Sequence, residues 1–361
     1  MARAFNFFAG PAVLPLPAIE RAQKELVDWA GTGTSIMETS HRSKEYEAVH
    51  NEAIALIKEF IGLDEHYQVL FLGGGASLQF AMVPMNLLGK DQTADYIHTG
   101  TWSKKAIAEA KLFGNVNVAF DGETVGLTRI PRQDELKLTP NARYVHITSN
   151  NTIKGTQWHT FPDTHGVPMV ADMSSDFLWR PFNPKPFGLI YAGAQKNLGP
   201  AGVTVVIIRD DILAQCKAEN PTMLKYATHA KENSLFNTPP VFAIYMVRNV
   251  LSYMKDLGGL KAVEAHNRKK AGLIYDTIDA NPAFFRAPVD KGSRSFMNIV
   301  FRLPSEELEA KFVAEGKARR MLGLKGHRSV GGIRISAYNS CPMESVEAVV
   351  AFMKEFAKAN G

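Results

Sequence analysis

Cysteine is nearly absent. Cys216 and Cys341 are the only two in 361 residues, too few and too far apart for a disulfide framework or a zinc site, and they suit a reducing compartment. Long apolar runs are missing too. The strongest, Val203–Ile208, falls far short of the roughly 20 residues needed to cross a bilayer. The opening stretch is apolar, but Asn6, Pro11, Pro15 and Pro17 interrupt any signal-peptide core. A cytoplasmic location is the expectation. There is no block of Lys and Arg and no basic stripe with interleaved aromatics. The formal charge of +5 therefore speaks against nucleic acid and fits mild attraction of a small anion. Repeats and low-complexity tracts are also lacking. What remains is 45% hydrophobic and 21% charged, a globular composition long enough for about two domains.

Short apolar runs alternate with helix-period segments, the pattern of an α/β fold with a mainly parallel sheet. Ser43 is placed to cap a helix with Glu45 and Glu47 in its first turn and Gly62 at its end. Strands are predicted over Tyr67–Leu72, Asp95–His98, Val116–Phe120, Arg143–Thr148, Val167–Asp172, Leu189–Ala192 and Val203–Arg209. Helices are predicted over Leu78–Leu88, where Pro84 should kink or end the element, and over Ser103–Phe113, Ile212–Ala218, 241–256 and 259–278. Gly258-Gly259 reads as a domain boundary. Beyond it, strands Ser295–Leu303 and Gly332–Tyr338 and helices Ser305–Met321 and Glu344–Lys358 form an α+β module.

Several residues in this frame carry chemistry. Lys196 lies just past the apolar strand at 189–192, in the Gly/Pro-rich loop Gly193–Gly202, where α/β proteins build their sites. Asp172 ends the preceding strand. Gly73-Gly74-Gly75-Ala76-Ser77 joins a strand to a helix, so free N–H groups can face an anion, although the loop lacks the Gly-Lys-Ser/Thr ending of a nucleotide P-loop. Trp102, in the loop after His98, offers a flat face. A lysine for a Schiff base, an acid for a ring nitrogen, a phosphate cradle and a stacking partner are together what pyridoxal 5'-phosphate requires.

These segments, in this order, resemble the fold-type I, class V pyridoxal-phosphate aminotransferases. The likeness also rests on Asn6–Ala12, Ser40-His41-Arg42-Ser43, Gly193–Gly202, Phe236–Pro240 and Gly326–Arg334, so it runs from the first residues to the last strand. It implies a large domain, 16–257, with a mainly parallel seven-stranded sheet, and a small α+β domain made of 1–15 and 258–361. It further implies that Lys196 carries the cofactor as an internal aldimine and shuttles the proton. Asp172 would bind the ring nitrogen, Trp102 would stack, and Thr152 would contact the ring side. Ala76, Ser77 and Gln195 would hold the phosphate. Asn237 and Thr238 would reach the cofactor of a neighbouring subunit, giving a homodimer with shared sites. Arg334 would grip the α-carboxylate, and His41, Arg42, His327 and Arg328 would form a cationic pocket for a phosphate or for the distal carboxylate of glutamate. The implied reaction is ping-pong amino transfer from glutamate to 3-phosphooxypyruvate, giving phosphoserine and 2-oxoglutarate, with a related phosphorylated substrate of vitamin B6 synthesis in the same pocket. Ala9 departs from the serine carried by many relatives. Two other class V activities fit the residues less well: cysteine desulfuration wants a mobile cysteine, and alanine–glyoxylate transfer has no use for the four cationic residues.

Overall fold

The computed structural model describes residues 3–361. Its centre is a seven-stranded sheet in the order β2 (Tyr67–Leu72), β8 (Thr204–Arg209), β7 (Phe187–Gly193), β6 (Met169–Asp172), β5 (Val145–Thr148), β3 (Thr93–His98) and β4 (Asn115–Asp121). The strands from β7 through β4 run parallel, and β8 is antiparallel to both β2 and β7. The expected strands are thus all present, with bounds shifted by a few residues. They read as apolar runs because both faces are covered, as parallel sheets require. Val145, Ile147, Ala171, Ile190 and Ile207 pack on one face with residues of α2 (Lys44–Ile61) and α7 (Val241–Asp256). Tyr96, Val170, Leu189, Tyr191 and Val206 pack on the other with α3 (Gly75–Leu87) and α4 (Thr101–Ala110).

Ser43 caps α2 as expected, its side chain accepting from Tyr46 N, and Gly62 closes the helix in the left-handed conformation. Helix α3 departs from expectation. It starts at Gly75, and Pro84 lies inside it without ending it. So close to the C-terminal end, the missing N–H and ring clash cost about 3 kcal/mol, which the burial of Phe80, Val83 and Leu87 against the sheet offsets. Helix α4 begins at Thr101, so Trp102 stands in its first turn and not in a loop. The helix expected over Ile212–Ala218 is α5 (Asp210–Leu213), a single turn, and it leaves Cys216 beyond its end. Helices α1 (Leu16–Glu25) and α6 (Tyr226–Lys231) were not foreseen; α1 follows prolines that read as breakers, and α6 is too short to show a period.

A second apolar cluster gathers the C-terminal elements: the later turns of α8 (Gly259–Ala280), β9 (Asn298–Phe301), α9 (Glu306–Ala318), β11 (Ile333–Ser336) and α10 (Met343–Asn360). Helix α9 stops earlier than the Ser305–Met321 expectation because Met321 enters β10 (Met321–Leu322), which pairs in parallel with β1 (Phe5–Asn6). Phe7 and Val13 join this cluster, so the N-terminal segment packs with the C-terminal elements. Helix α8 serves both cores: Leu260 and Val263 face the first, whereas Ala271, Ile274 and Ile278 face the second. No helix among the described residues is long and apolar enough to cross a membrane.

Candidate active site

Strand register brings the chemistry together. Thr148, Asp172 and Tyr191 are aligned neighbours on β5, β6 and β7, so the last residues of two parallel strands open into the crevice at their carboxyl ends, and Lys196 follows a few residues past β7. A cavity of about 300 Å³ there is lined by Lys196, Asp172, Trp102, Thr152, Arg334 and His327, with Ala76, Ser77 and Gln195 at another wall.

Lys196 Nζ donates to Thr152 Oγ1 at 2.7 Å and stands 5.8 Å from the centre of the Trp102 ring. Burial lowers its ammonium to about 8; the charge of Asp172 opposes that shift and the charge of Arg334 adds to it. Gly10 walls the side chain. Its φ of +142° is one that side chains rarely adopt, and a Cβ there would stand 3.2 Å from Lys196 Cγ, so a larger residue would be strained and would press on the lysine stem. Asp172 Oδ1 accepts from Ser174 N at 2.9 Å. Burial raises the carboxyl above its ordinary value, and Ser174 and Lys196 pull the other way. A second buried acid, Asp176, is taken up by protein partners: Ser149 Oγ donates to one oxygen and Gln157 Nε2 to the other at 3.0 Å. Burial pushes it up to about 6.

The anion cradle is the start of α3. Its N-cap, Gly74, has φ +82° and no side chain to cap the helix, which leaves first-turn N–H groups open beside Ala76 and Ser77. Arg334 Nη1 donates to Thr152 O at 3.2 Å, which joins the guanidinium to the residue that holds Lys196. His327 also lines the cavity. Its Nδ1 lies 2.7 Å from Ser329 Oγ, and burial, then Arg334, Arg328 and Lys105, hold the imidazole below its ordinary value.

The remaining expected residues are not brought in. His41, Arg42 and Arg328 do not line this cavity, so one chain does not assemble the four-residue cationic pocket; of that set it places only His327 there. Asn237 and Thr238 border a separate hollow behind the glycine loop, with Gly73, Gly74 and Gly202. Cys341 is buried and Cys216 half-buried, with burial raising the first thiol and pushing the second up to about 12. Neither lines the cavity, which removes the residue that desulfuration needs. Sequence reasoning missed Thr148, Ser174, Asn150 and Gly10, all in the lining. Thr148 and Asp172 meet only through strand pairing, which no local pattern reveals.

Three buried polar atoms on this lining have no protein partner: Thr148 Oγ1, Trp102 Nε1 and Arg334 Nε. Leaving such groups unpaired is costly. With an open helix N-terminus, a buried carboxylate and a flat indole, they form a donor set that fits pyridoxal phosphate. Asp172 would hold its ring nitrogen, the start of α3 its phosphate, and Lys196 its aldehyde.

Comparison with known proteins agrees. Residues 4–349 match the family model described as aminotransferase class-V. Phosphoserine aminotransferase of Niallia circulans is 56% identical over 359 residues, covering 99% of each chain. The solved structure of phosphoserine aminotransferase from Bacillus circulans subsp. alkalophilus superposes with a TM-score of 0.98 at 56% identity over 99% of both chains. A PLP-bound phosphoserine aminotransferase from Trichomonas vaginalis gives 0.92 at 41% identity, over 98% of this chain and 100% of that one.

Proposed function

The chain belongs to the class-V aminotransferase family, and from that premise we propose that it moves the amino group of glutamate to 3-phosphooxypyruvate, giving phosphoserine and 2-oxoglutarate. It is a pyridoxal-phosphate-dependent aminotransferase, and the reaction belongs to serine biosynthesis. The observation that carries the reading is one amine: Lys196, half-buried and lowered to about 8, shares a cavity with Asp172 and Arg334.

Pyridoxal phosphate, when bound, supplies an aldehyde and a ring that draws electrons from the substrate's α-carbon. The protein does the rest. Asp172 keeps the ring nitrogen protonated, and Trp102 and Thr152 fix the ring plane. Ala76, Ser77 and Gln195 hold the phosphate. Arg334 would grip the α-carboxylate and set the α-carbon against Lys196 Nζ; that amine would carry a proton from glutamate's α-carbon to the cofactor's former aldehyde carbon, and in the second half-reaction carry one back to the α-carbon of the new amino acid, fixing its stereochemistry. Because Arg334 binds through a fork that an ammonium cannot copy, Arg334→Lys is expected to raise the KM for glutamate about tenfold, or ~1.4 kcal/mol, with a smaller change in kcat, as read from initial rates.

A homodimer completes the site. His41 and Arg42 lie outside the cavity of their own chain, and Asn237 and Thr238 face the far side of the glycine loop. A second copy supplies these four, and docking of the two chains brings in Arg328, which also lies outside the cavity of its own chain. His41, Arg42, His327 and Arg328 then bind a phosphate or the distal carboxylate of glutamate in alternate half-reactions. The same pocket takes the related phosphorylated substrate of vitamin B6 synthesis. Residues 16–257 are the large domain and 1–15 with 258–361 the small one. Free cysteines fit a cytoplasmic enzyme.

Steady-state rates test the reading. Double-reciprocal plots for glutamate and 3-phosphooxypyruvate are expected to be parallel, since 2-oxoglutarate leaves before the second substrate binds. Phosphoserine is expected to shift the cofactor's absorption band at concentrations where alanine does not. Intersecting plots, or equal response to alanine, would defeat it.

A further inference from the structure

Lys270, on α8, is the least accessible ammonium outside the site. Its exposure is 0%, and no carboxylate lies within ion-pair distance of it among the described residues. It donates instead to main-chain carbonyls: Tyr338 O at 2.5 Å, Cys341 O at 3.2 Å and Asn339 O at 3.5 Å. A buried cation persists only where such acceptors replace water. Burial brings its ammonium down to about 8, which leaves it charged at neutral pH.

The segment it gathers, 338–341, joins β11, which carries Arg334, to α10. The same segment reaches the walls of Lys196 from two sides. Tyr338 OH donates to Ala9 O at 2.7 Å and accepts from Asn298 Nδ2 at 3.0 Å. Ala9 precedes Gly10, the residue against the Lys196 stem. Asn339 N donates to Asn197 Oδ1 at 3.1 Å, and Asn197 follows Lys196 in the chain. Asn339 is fixed further by Asn267 Nδ2 at 2.8 Å and by its own bond to Leu178 O at 3.0 Å.

We propose that Lys270 is a positioning residue for the reaction: by holding the 338–341 segment it sets Lys196 in register with the carboxylate-binding Arg334. The proposal rests on the aminotransferase reading above. The amine and the guanidinium come from different cores, and 338–341 is bonded to the neighbours of one and continuous with the strand of the other. The ammonium is suited to the task because its three N–H groups can serve several carbonyls at one point, and methionine of similar length can serve none.

Three variants of the cofactor-loaded dimer test it: Lys270→Met, Lys270→Arg and Tyr338→Phe. The readouts are circular dichroism of the cofactor band, kcat and KM for glutamate, and far-ultraviolet dichroism with the melting temperature. Dichroism at the cofactor band reports how rigidly the group is held, which loss of stability alone does not move while the protein stays folded. Lys270→Met is expected to halve that signal at least and to lower kcat about tenfold or more, as small misplacements of reacting groups do. Lys270→Arg should recover most of both. Tyr338→Phe, which removes one hydroxyl and keeps the fold, should change them in the same direction by less. If Lys270→Met does not fold, Tyr338→Phe decides alone. Wild-type cofactor dichroism and kcat in a folded Lys270→Met or in Tyr338→Phe overturns the proposal. Should the unaltered protein show no cofactor band and no amino transfer, the functional reading fails first, and the two failures are thereby distinct.

Discussion

Replacing Lys196 by alanine is expected to lower amino transfer by at least about a thousandfold, within the range that one acid–base group commands, and to abolish covalent retention of the cofactor while leaving the fold intact. No neighbour can take over. Thr152 Oγ1, 2.7 Å from the amine, does not ionise near neutral pH. Arg334 stays charged, because burial lowers its value only from a very high starting point. His327 has its Nδ1 beside Ser329 Oγ at the rim of the cavity. The fold tolerates the change because the Lys196 stem packs against Gly10 and its amine makes one hydrogen bond. The pH dependence follows from the sign of the shift. Burial brings the ammonium down to about 8, so the reactive neutral amine grows as pH rises and is mostly formed above that value. Capture of added pyridoxal phosphate by the cofactor-free protein should therefore speed up about tenfold per pH unit below 8 and level off above it. A Lys196→Ala protein with wild-type turnover, or capture independent of pH from 6 to 9, would rule the assignment out.

How much of this was legible beforehand depends on the reach of each signal. The strands showed as apolar runs because helices cover both sheet faces, and the α2 caps showed because capping is local chemistry between Ser43 and Tyr46. Lys196 and Asp172 stood at strand ends, which a single chain segment reveals. Thr148 did not, since its place beside Asp172 depends on the β5–β6 register. Trp102 reads as a loop residue because Gly100, at the N-cap of α4, looks like a breaker and carries no side-chain cap. Pro84 misled for the opposite reason: its cost is local, but the burial that offsets it comes from the sheet. His41 and Arg42 were expected in the pocket on resemblance alone, and no property of one chain could put them there. Lys270 gave no sequence signal, as a lysine on an amphipathic helix normally faces water.

Asp172→Asn is the second large effect expected. Asparagine keeps the size of the side chain and can still accept from Ser174 N, as Asp172 Oδ1 does at 2.9 Å, so the fold should survive. What disappears is the negative charge. A buried cation left without its counter-charge costs about 3–5 kcal/mol, so the ring nitrogen would give up its proton and the ring its pull on the α-carbon. The loss in kcat should be about 10²–10³-fold, with weaker retention of the cofactor. Asp176 cannot substitute, although it too is buried and belongs to the same acidic pair. Its oxygens are occupied by Ser149 and Gln157, and at about 6 its carboxyl is ionised at neutral pH without an open face toward the cavity. Asp176→Asn is the control that separates the two, since it removes a charge of the same sign from the same region. It should leave kcat within about tenfold of wild type. If the two asparagine variants lose activity equally, the ring-binding role does not belong to Asp172, and general electrostatics of the buried pair would have to explain the site.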